Sequence, residues 1–215
     1  MPDETEKYES DGSHLPVADQ YWDSLQKKDR TALANMTFFD PLDSDLDSER
    51  LQFRFLNEIR CIDFSKRCLL ERIDNVWIVS DDPLLTLATV VYLNNISAVY
   101  PMGQDIVGVK DLKEGHFFTG PHELRLDPIL SHYGHDPEGF KRAAESRDGC
   151  SMDMADVAYR LLPFPRVPLY YLLWQGDEEF EPAVKVLFDR SIENTFPADA
   201  IWGLVSRVTM AFLDL

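Results

Sequence analysis

Four of the five histidines fall within a stretch of 21 residues, 116–136, that also carries three carboxylates. Imidazole nitrogens and carboxylate oxygens are ligands that Zn²⁺ accepts, and His132-x-x-His135 approaches a usable ligand spacing. A metal site built on His122, His132 and His135 is therefore one reading. Gly134 lies between two of these residues at a predicted helix end, where their rings would diverge. We therefore expect solvent-facing or packing histidines, with the metal site as the alternative. The stretch is formed by His116, His122, Glu123, Asp127, His132, His135 and Asp136.

A second group of candidate residues lies in an acidic turn between two predicted strands. Asp177, Glu178 and Glu179 stand in a row, and Asp189 ends the following strand. Such oxygen-rich clusters bind Mg²⁺ or Ca²⁺, and paired carboxylates can divide acid and base roles. Adjacent turn residues usually point to different sides, so we expect a solvated turn. Ion or ligand binding and catalysis are the alternatives, with Trp174 completing the ligand-binding set.

The aromatic residues that flank this turn have a predicted structural role. Trp174 and Phe180 are expected to clamp the turn to the core, and Trp174 is expected to be largely buried. Truncation of a core aromatic of this kind costs about 3–5 kcal/mol.

The three cysteines offer little chemistry. If a turn is centred on Ser65 and Lys66, Cys61 and Cys68 lie nearly opposite each other on paired strands. We expect both cysteines to pack as small buried hydrophobic residues. The alternative is a redox pair that spans the two strands. Cys150 has no evident basic neighbour and reads as an ordinary thiol. The sequence contains no G-x-S-x-G, P-loop or G-x-G-x-x-G motif.

Composition and charge limit the function classes. The formal net charge is −17, so a polyanion or an anionic membrane surface would be repelled, and we expect no nucleic-acid or membrane partner. The longest apolar run, 84–93, is about half the roughly 20 residues that a membrane span needs. The polar start MPDETEKYESDGSH lacks the features of a signal peptide. With three irregularly spaced cysteines, this predicts a reducing, cytoplasmic location.

Helix signals are local and distinct. A first helix is predicted over about 17–28, and Asp29 is a candidate cap for a second. Asp-Pro pairs at 82, 127 and 136 each predict a helix start, and the first of these begins a buried central helix. Thr195 is a candidate cap for the last helix, whose apolar stripe has helical spacing. That stripe consists of Ile201, Leu204, Val205, Val208 and Phe212.

Strand signals come in local groups. Residues 51–55, 58–64 and 67–73 form one group, and 155–162, 169–174 and 183–188 form another, with a short strand at 106–109. Pro163, Pro165 and Pro168 predict an extended connector. The fold class is therefore α+β: a mainly antiparallel sheet of local strand pairs, packed against the central and C-terminal helices. We predict one domain over 17–215, preceded by a disordered acidic arm over 1–16.

From about Leu84 onward the chain resembles a prokaryotic family known as domain of unknown function 3786. The resemblance is carried by PLLTLATVVYL, HFFTGPHEL, RLLPFPRVPL and, most specifically, LLWQGDEEFEPAVKVLFDRSIENTFPADAI. It implies a protein of anaerobic bacteria or archaea, from a family with no established reaction. Some members carry an iron–sulfur cysteine cluster, but this chain has no C-x-x-C run, so that cofactor is not carried over.

The expected function is a non-catalytic accessory or binding protein of an anaerobic prokaryotic metabolism, with a protein or small molecule as its partner. The alternative is a metal-binding protein or metal-dependent enzyme. It would use the histidine-rich loop at 116–136 or the acidic turn at 177–189.

Overall fold

A computed structural model describes residues 17–42, 49–176 and 179–213, so the predicted acidic arm at 1–16 lies outside the described residues. The fold is α+β, as predicted, with two antiparallel sheets of five strands each in the described residues. The strands are β1 (Asp40–Pro41), β2 (Arg50–Phe55), β3 (Glu58–Asp63), β4 (Cys68–Ile73), β5 (Val76–Val79), β6 (Ile106–Val107), β7 (Cys150–Met152), β8 (Val157–Phe164), β9 (Val167–Trp174) and β10 (Ala183–Asp189). The helices are α1 (Asp19–Gln26), α2 (Arg30–Thr37), α3 (Pro83–Asn95), α4 (Asp127–Tyr133), α5 (Pro137–Glu145) and α6 (Ala198–Leu213).

The N-terminal sheet is a simple meander in the order β1-β2-β3-β4-β5. Leu51, Phe53 and Phe55 alternate with more exposed residues along β2 and are buried, as their period-2 pattern predicts. Strand β5 was not predicted from the sequence. Its four residues are all apolar and three of them are exposed, so the strand has no alternation to reveal it.

Asp63 fixes the turn between β3 and β4. Its carboxylate accepts hydrogen bonds from Ser65 Oγ (2.7 Å) and Lys66 N (2.9 Å), and it pairs with Arg50 Nε at 3.0 Å. The resulting register pairs Cys61 with Leu70 and Asp63 with Cys68. The prediction that the two cysteines lie opposite each other is therefore wrong, because the register is offset by two residues. They are diagonal neighbours, about 7–8 Å apart in such a ladder, and both are free thiols.

The C-terminal sheet has the order β6-β10-β9-β8-β7 and is built around two long hairpins. The predicted proline-rich connector is wrong, because Pro163 and Pro168 lie inside β8 and β9 and only a two-residue turn joins these strands. The register shifts between Leu161 and Phe164, as in a β-bulge. A bulge accommodates proline because it locally interrupts the hydrogen-bond ladder. Strand β7, like β5, was not predicted.

Aspartate side chains cap three helices as predicted. Asp29, Asp82 and Asp136 accept hydrogen bonds from Ala32 N, Leu85 N and Gly139 N at 2.7–2.8 Å. Two other predicted caps are wrong.

The helix start predicted at Asp127-Pro128 is confirmed, because α4 begins at Asp127, but the Asp127 side chain makes no cap hydrogen bond. Thr195 donates its hydroxyl to Ile192 O, and α6 begins at Ala198, whose N–H donates to the Glu114 carboxylate at 3.1 Å. A residue distant in sequence therefore replaces the expected local cap.

The core lies between the two sheets and is filled by α3 and α6. All five residues of the predicted α6 stripe are buried, and α3 is buried almost all round. Phe164 at the end of β8 is fully buried and joins the layers, since its ring lies 5.5 Å from that of Phe53 and 5.0 Å from that of Tyr92. Among the described helices, none has the length and apolar character required to cross a bilayer.

Candidate ligand-binding site

The histidine-rich segment is spread over the surface. His116, His122, His132 and His135 are all exposed. The ring of His122 stacks on Phe117 at 4.5 Å, and that of His132 meets the edge of Tyr133 at 4.4 Å. In the described part of the chain, no three His, Cys, Asp or Glu side chains are placed to hold a metal ion. The structure therefore does not bring the predicted ligands together.

The acidic turn is also divided. Asp177 and Glu178 lie outside the described residues, and Glu179 is exposed. Asp189 pairs with Ile106 at the far end of β10, while Trp174 pairs with Ala183 at the turn end. Six residue steps of strand separate these ends by about 20 Å. The buried Asp189 carboxylate accepts from Gly103 N and Ser191 N, so it has a structural role at its own end of the strand.

The two aromatic residues at this turn differ. Trp174 is partly buried and packs on a small cluster on the outer face of the C-terminal sheet, with Lys185 Nζ 5.2 Å from its ring centre. Phe180 is 69% exposed, so the prediction that it clamps the turn to the core is wrong.

A concave site does exist between the two sheets. We call it the inter-sheet groove. Its volume is about 550 Å³, within the range of pockets that bind small organic molecules. At least four further cavities indent the described surface, and none of these five is lined by a histidine, by Trp174 or by Asp189. The groove is lined by Phe38, Asp40, Gln52, Phe53, Arg54, Leu56, Ile59, Arg147, Asp148, Leu162 and Pro165.

Four structural elements converge on the groove. The β2–β3 hairpin forms one wall, and the end of β8 with the following turn forms the other. The end of α2 contributes Phe38, and the segment after α5 contributes Arg147 and Asp148. Asn57 Nδ2 donates to Ser146 O at 2.7 Å and thereby ties the hairpin to that segment. Phe38 and Ile59 are 54% and 39% exposed, so the groove presents apolar surface to solvent.

Backbone strain is concentrated at this site. Phe38, Leu56 and Asp148 have φ values of 61°, 53° and 57°, in the left-handed region that non-glycine residues rarely adopt. Half of the six non-glycine residues with positive φ in the described chain therefore line the groove. Each ends a helix or turns a hairpin, so local structure accounts for the bend. For the bulky Phe38 and Leu56 this conformation costs of order 1–3 kcal/mol, and strain of this kind is often found at ligand sites.

Two arginines supply the charged hydrogen-bond donors of the groove. Arg54 Nη2 lies 3.0 Å from Asp148 Oδ2, and both side chains are 61% exposed. Arg147 is 8% exposed, and its Nη1 donates to Ala143 O and Ser146 Oγ. Its guanidinium is therefore held in a fixed position by the C-terminal end of α5.

A second cavity of about 310 Å³ adjoins the groove and shares Leu56 and Arg147 with it. Arg207 lines this cavity, lies over the Phe55 ring at 5.2 Å and pairs with Asp82, the cap of α3. Three arginines therefore surround the two cavities of a chain whose net charge is strongly negative.

This arrangement is suited to binding. Among the described residues that line the groove there is no histidine, cysteine, lysine, serine or threonine, and its carboxylates are those of Asp40 and Asp148. It offers an apolar floor and guanidinium donors that match the geometry of a carboxylate. These residues could not be recognised as a site from the sequence, because arginine, leucine and phenylalanine carry no chemical signature outside a cavity.

Comparison with known proteins identifies the family of the chain but no individual relative. No curated protein and no solved structure matches the chain. One family model, described as Domain of unknown function (DUF3786), matches residues 38–211. The matched region contains every residue that lines the inter-sheet groove. It also includes the N-terminal meander, which precedes the segment from about Leu84 that carries the resemblance in the sequence. Since the match spans most of the chain, the protein belongs to the family of domain of unknown function 3786.

Proposed function

We propose that this protein is a non-catalytic binding protein whose ligand is a small organic carboxylate with a flat apolar body. The observation that carries the proposal is the inter-sheet groove, in which exposed apolar side chains and two arginines share one concave surface. Its volume matches a small molecule of this class. We further propose a cytoplasmic location, which the three irregularly spaced cysteines favour, and an anaerobic prokaryotic source, which the family resemblance implies.

The apolar wall would hold the body of the ligand. Phe38 and Ile59 are the most exposed apolar side chains that line the groove. A bound ligand that covers them gains the hydrophobic part of its affinity. Arg54 would bind the carboxylate, because its present partner Asp148 is an exposed carboxylate that a ligand can replace.

The metal-dependent alternative has no comparable geometric support. Within the described segments no three ligating side chains converge, and the histidines lie outside the five cavities. Elemental analysis of protein purified without an affinity tag tests this alternative directly. A stoichiometric metal would favour it over the binding proposal.

The binding proposal is tested with 2-naphthoate as the probe, by saturation-transfer NMR and calorimetric titration. Arg54→Gln is expected to weaken binding about three- to tenfold, since a charge-assisted hydrogen bond at a half-exposed site contributes about 1 kcal/mol. Asp148→Asn is expected to tighten binding, because it removes the internal competitor for Arg54.

Arg67→Gln is the matched control. Arg67, in the turn between β3 and β4, is likewise paired with aspartates, since it contacts Asp19 and lies 2.6 Å from Asp23 of α1, but it does not line the groove. Equal affinities for the Arg54→Gln and Arg67→Gln variants, or no binding of the probe at millimolar concentration, would overturn the proposal.

A further inference from the structure

Two buried polar atoms that lack a hydrogen-bond partner belong to residues lining the same small cavity. Tyr92 of α3 is 1% exposed, and its hydroxyl has no hydrogen-bond partner among the described residues. The same holds for Nε of Arg166, which lies in the turn between β8 and β9. Both residues line a cavity of about 10 Å³. Because buried polar atoms are almost always hydrogen-bonded, these two atoms indicate a ligand that they share.

The orientation of the Tyr92 ring is fixed by its aromatic neighbours. It packs against the rings of Phe164 and Phe196, with ring centres 5.0 Å and 5.5 Å away and interplanar angles of 19° and 5°. Burial raises the pKa of Tyr92 far above its ordinary value, and the charge of Arg166 opposes only part of this rise. The hydroxyl is therefore protonated at neutral pH and can act as a donor.

The guanidinium of Arg166 is also held in place. Its Nη2 donates to Tyr100 O, and its central carbon lies 5.1 Å from the centre of the Phe38 ring. Since the guanidinium is planar, these two contacts also set the direction of the Nε–H bond. Phe38 lines the inter-sheet groove, so the cavity lies behind one wall of that groove.

We propose that this cavity binds one water molecule, which accepts hydrogen bonds from Arg166 Nε and Tyr92 Oη and donates one to Thr195 Oγ1. The ligand must accept hydrogen bonds, because both unpartnered groups are donors. Thr195 lines the cavity and donates its own hydroxyl hydrogen to Ile192 O, which leaves its oxygen as an acceptor. About three hydrogen bonds are typical of a buried water.

The size of the cavity excludes larger ligands. A single water needs about 10–15 Å³, which the cavity just provides, whereas a carboxylate or a phosphate needs more space. Water in this position joins α3 to the β8–β9 turn and to the segment before α6. It also holds Arg166 against Phe38 and thereby supports the groove wall. The water site does not depend on which ligand the groove binds.

A high-resolution crystal structure tests the site directly. We expect the density of one water at about 2.7–3.2 Å from both Arg166 Nε and Tyr92 Oη. Absence of this density, or a direct protein partner for either atom, would overturn the proposal.

Thermal denaturation of Tyr92→Phe tests whether the hydroxyl is hydrogen-bonded. We expect Tm to fall by about 2–5 °C, because the variant loses one hydrogen bond to the water. Tyr133→Phe is the matched control and should show a similar fall, since Tyr133 is also 1% exposed and its hydroxyl donates directly to Phe212 O at 2.8 Å. Removal of a hydroxyl without a partner would instead leave Tm unchanged or raise it, and that result for Tyr92→Phe would refute the water site.

A double-mutant cycle with Arg166→Met tests whether one water serves both residues. Methionine retains the length of the side chain but lacks the Nε–H donor. Tyr92→Phe should therefore lower Tm markedly less in the Arg166→Met background than in the wild type, because the shared water is already lost. Equal falls in the two backgrounds would contradict a bridging water.

Discussion

Phe164 provides the sharpest test of the fold, because it joins layers that come from distant parts of the chain. Its fully buried ring is the hub of an aromatic cluster, and Phe164→Ala would leave a cavity bounded by several elements. These neighbours are anchored independently, so they cannot collapse together into the space. The ring centres within 6.3 Å belong to Phe39, Phe53, Phe55, Tyr92 and Phe196.

The expected loss in the free energy of unfolding is about 3–5 kcal/mol, the range for a buried Phe→Ala change. We expect the upper part of that range, because lost aromatic pairs add to the cavity cost. For a chain of this length each 1 kcal/mol lowers Tm by about 2–4 °C, so the shift is about 6–20 °C.

The assay is urea unfolding followed in parallel by tryptophan fluorescence and far-UV circular dichroism. Phe180→Ala is the control, since the same substitution at a 69% exposed position should change stability by no more than about 0.5 kcal/mol. A loss below about 1 kcal/mol for Phe164→Ala with an unchanged m-value would refute the role of this ring. Coincident transitions of the wild type would support the single-domain prediction, and separate transitions would contradict it.

Two further predictions concern buried carboxylates. Burial alone would raise the pKa of Asp63, but hydrogen bonds from the following turn and the Arg50 charge outweigh it and hold this pKa below its ordinary value. The Asp63 contribution to stability is therefore complete above about pH 4, near the unfolded pKa, and is lost as the pH falls through the folded pKa. Urea titrations of wild type and Asp63→Asn should accordingly converge below about pH 4, and a pH-independent difference would contradict the assignment. Asp82→Ala should cost about 3 kcal/mol, because it removes a helix cap and leaves the largely buried Arg207 without this carboxylate. Asp136→Ala, which removes a cap beside an exposed arginine, should cost about 1 kcal/mol. Urea unfolding of both variants measures the two losses, and equal losses would contradict the added role of Asp82.

The elements that the sequence predicted well depend on interactions within a turn or two of chain. The aspartate at the start of α3 accepts a hydrogen bond from an N–H three residues later, so residues close in sequence decide whether it caps the helix. The α6 stripe likewise repeats at the helical period and was correctly predicted as buried. The predictions that failed depended on distant residues. Thr195 lost its expected cap role because Glu114, more than eighty residues away, reaches the start of α6.

The predictions for the proline-rich segment and for β5 failed for a different reason. A proline is excluded from a regular ladder, but the bulge between Leu161 and Phe164 makes room for it, and no local signal announces a bulge. The residues of β5 break the alternation that identifies a half-buried strand, since they are apolar on both faces.

The candidate site shows why residue type and spacing alone were a poor guide to function here. The histidines and the acidic turn drew attention because their side chains are chemically versatile, yet the topology leaves the histidines dispersed on the surface and separates Asp189 from the turn by the length of β10. The groove is lined by residues from Phe38 to Pro165, all of common structural types. What distinguishes them is that two sheets and two helix ends converge on one concave surface. Residues more than a hundred positions apart in the sequence are brought together by the packing of the sheets, so this site is visible only in the folded chain.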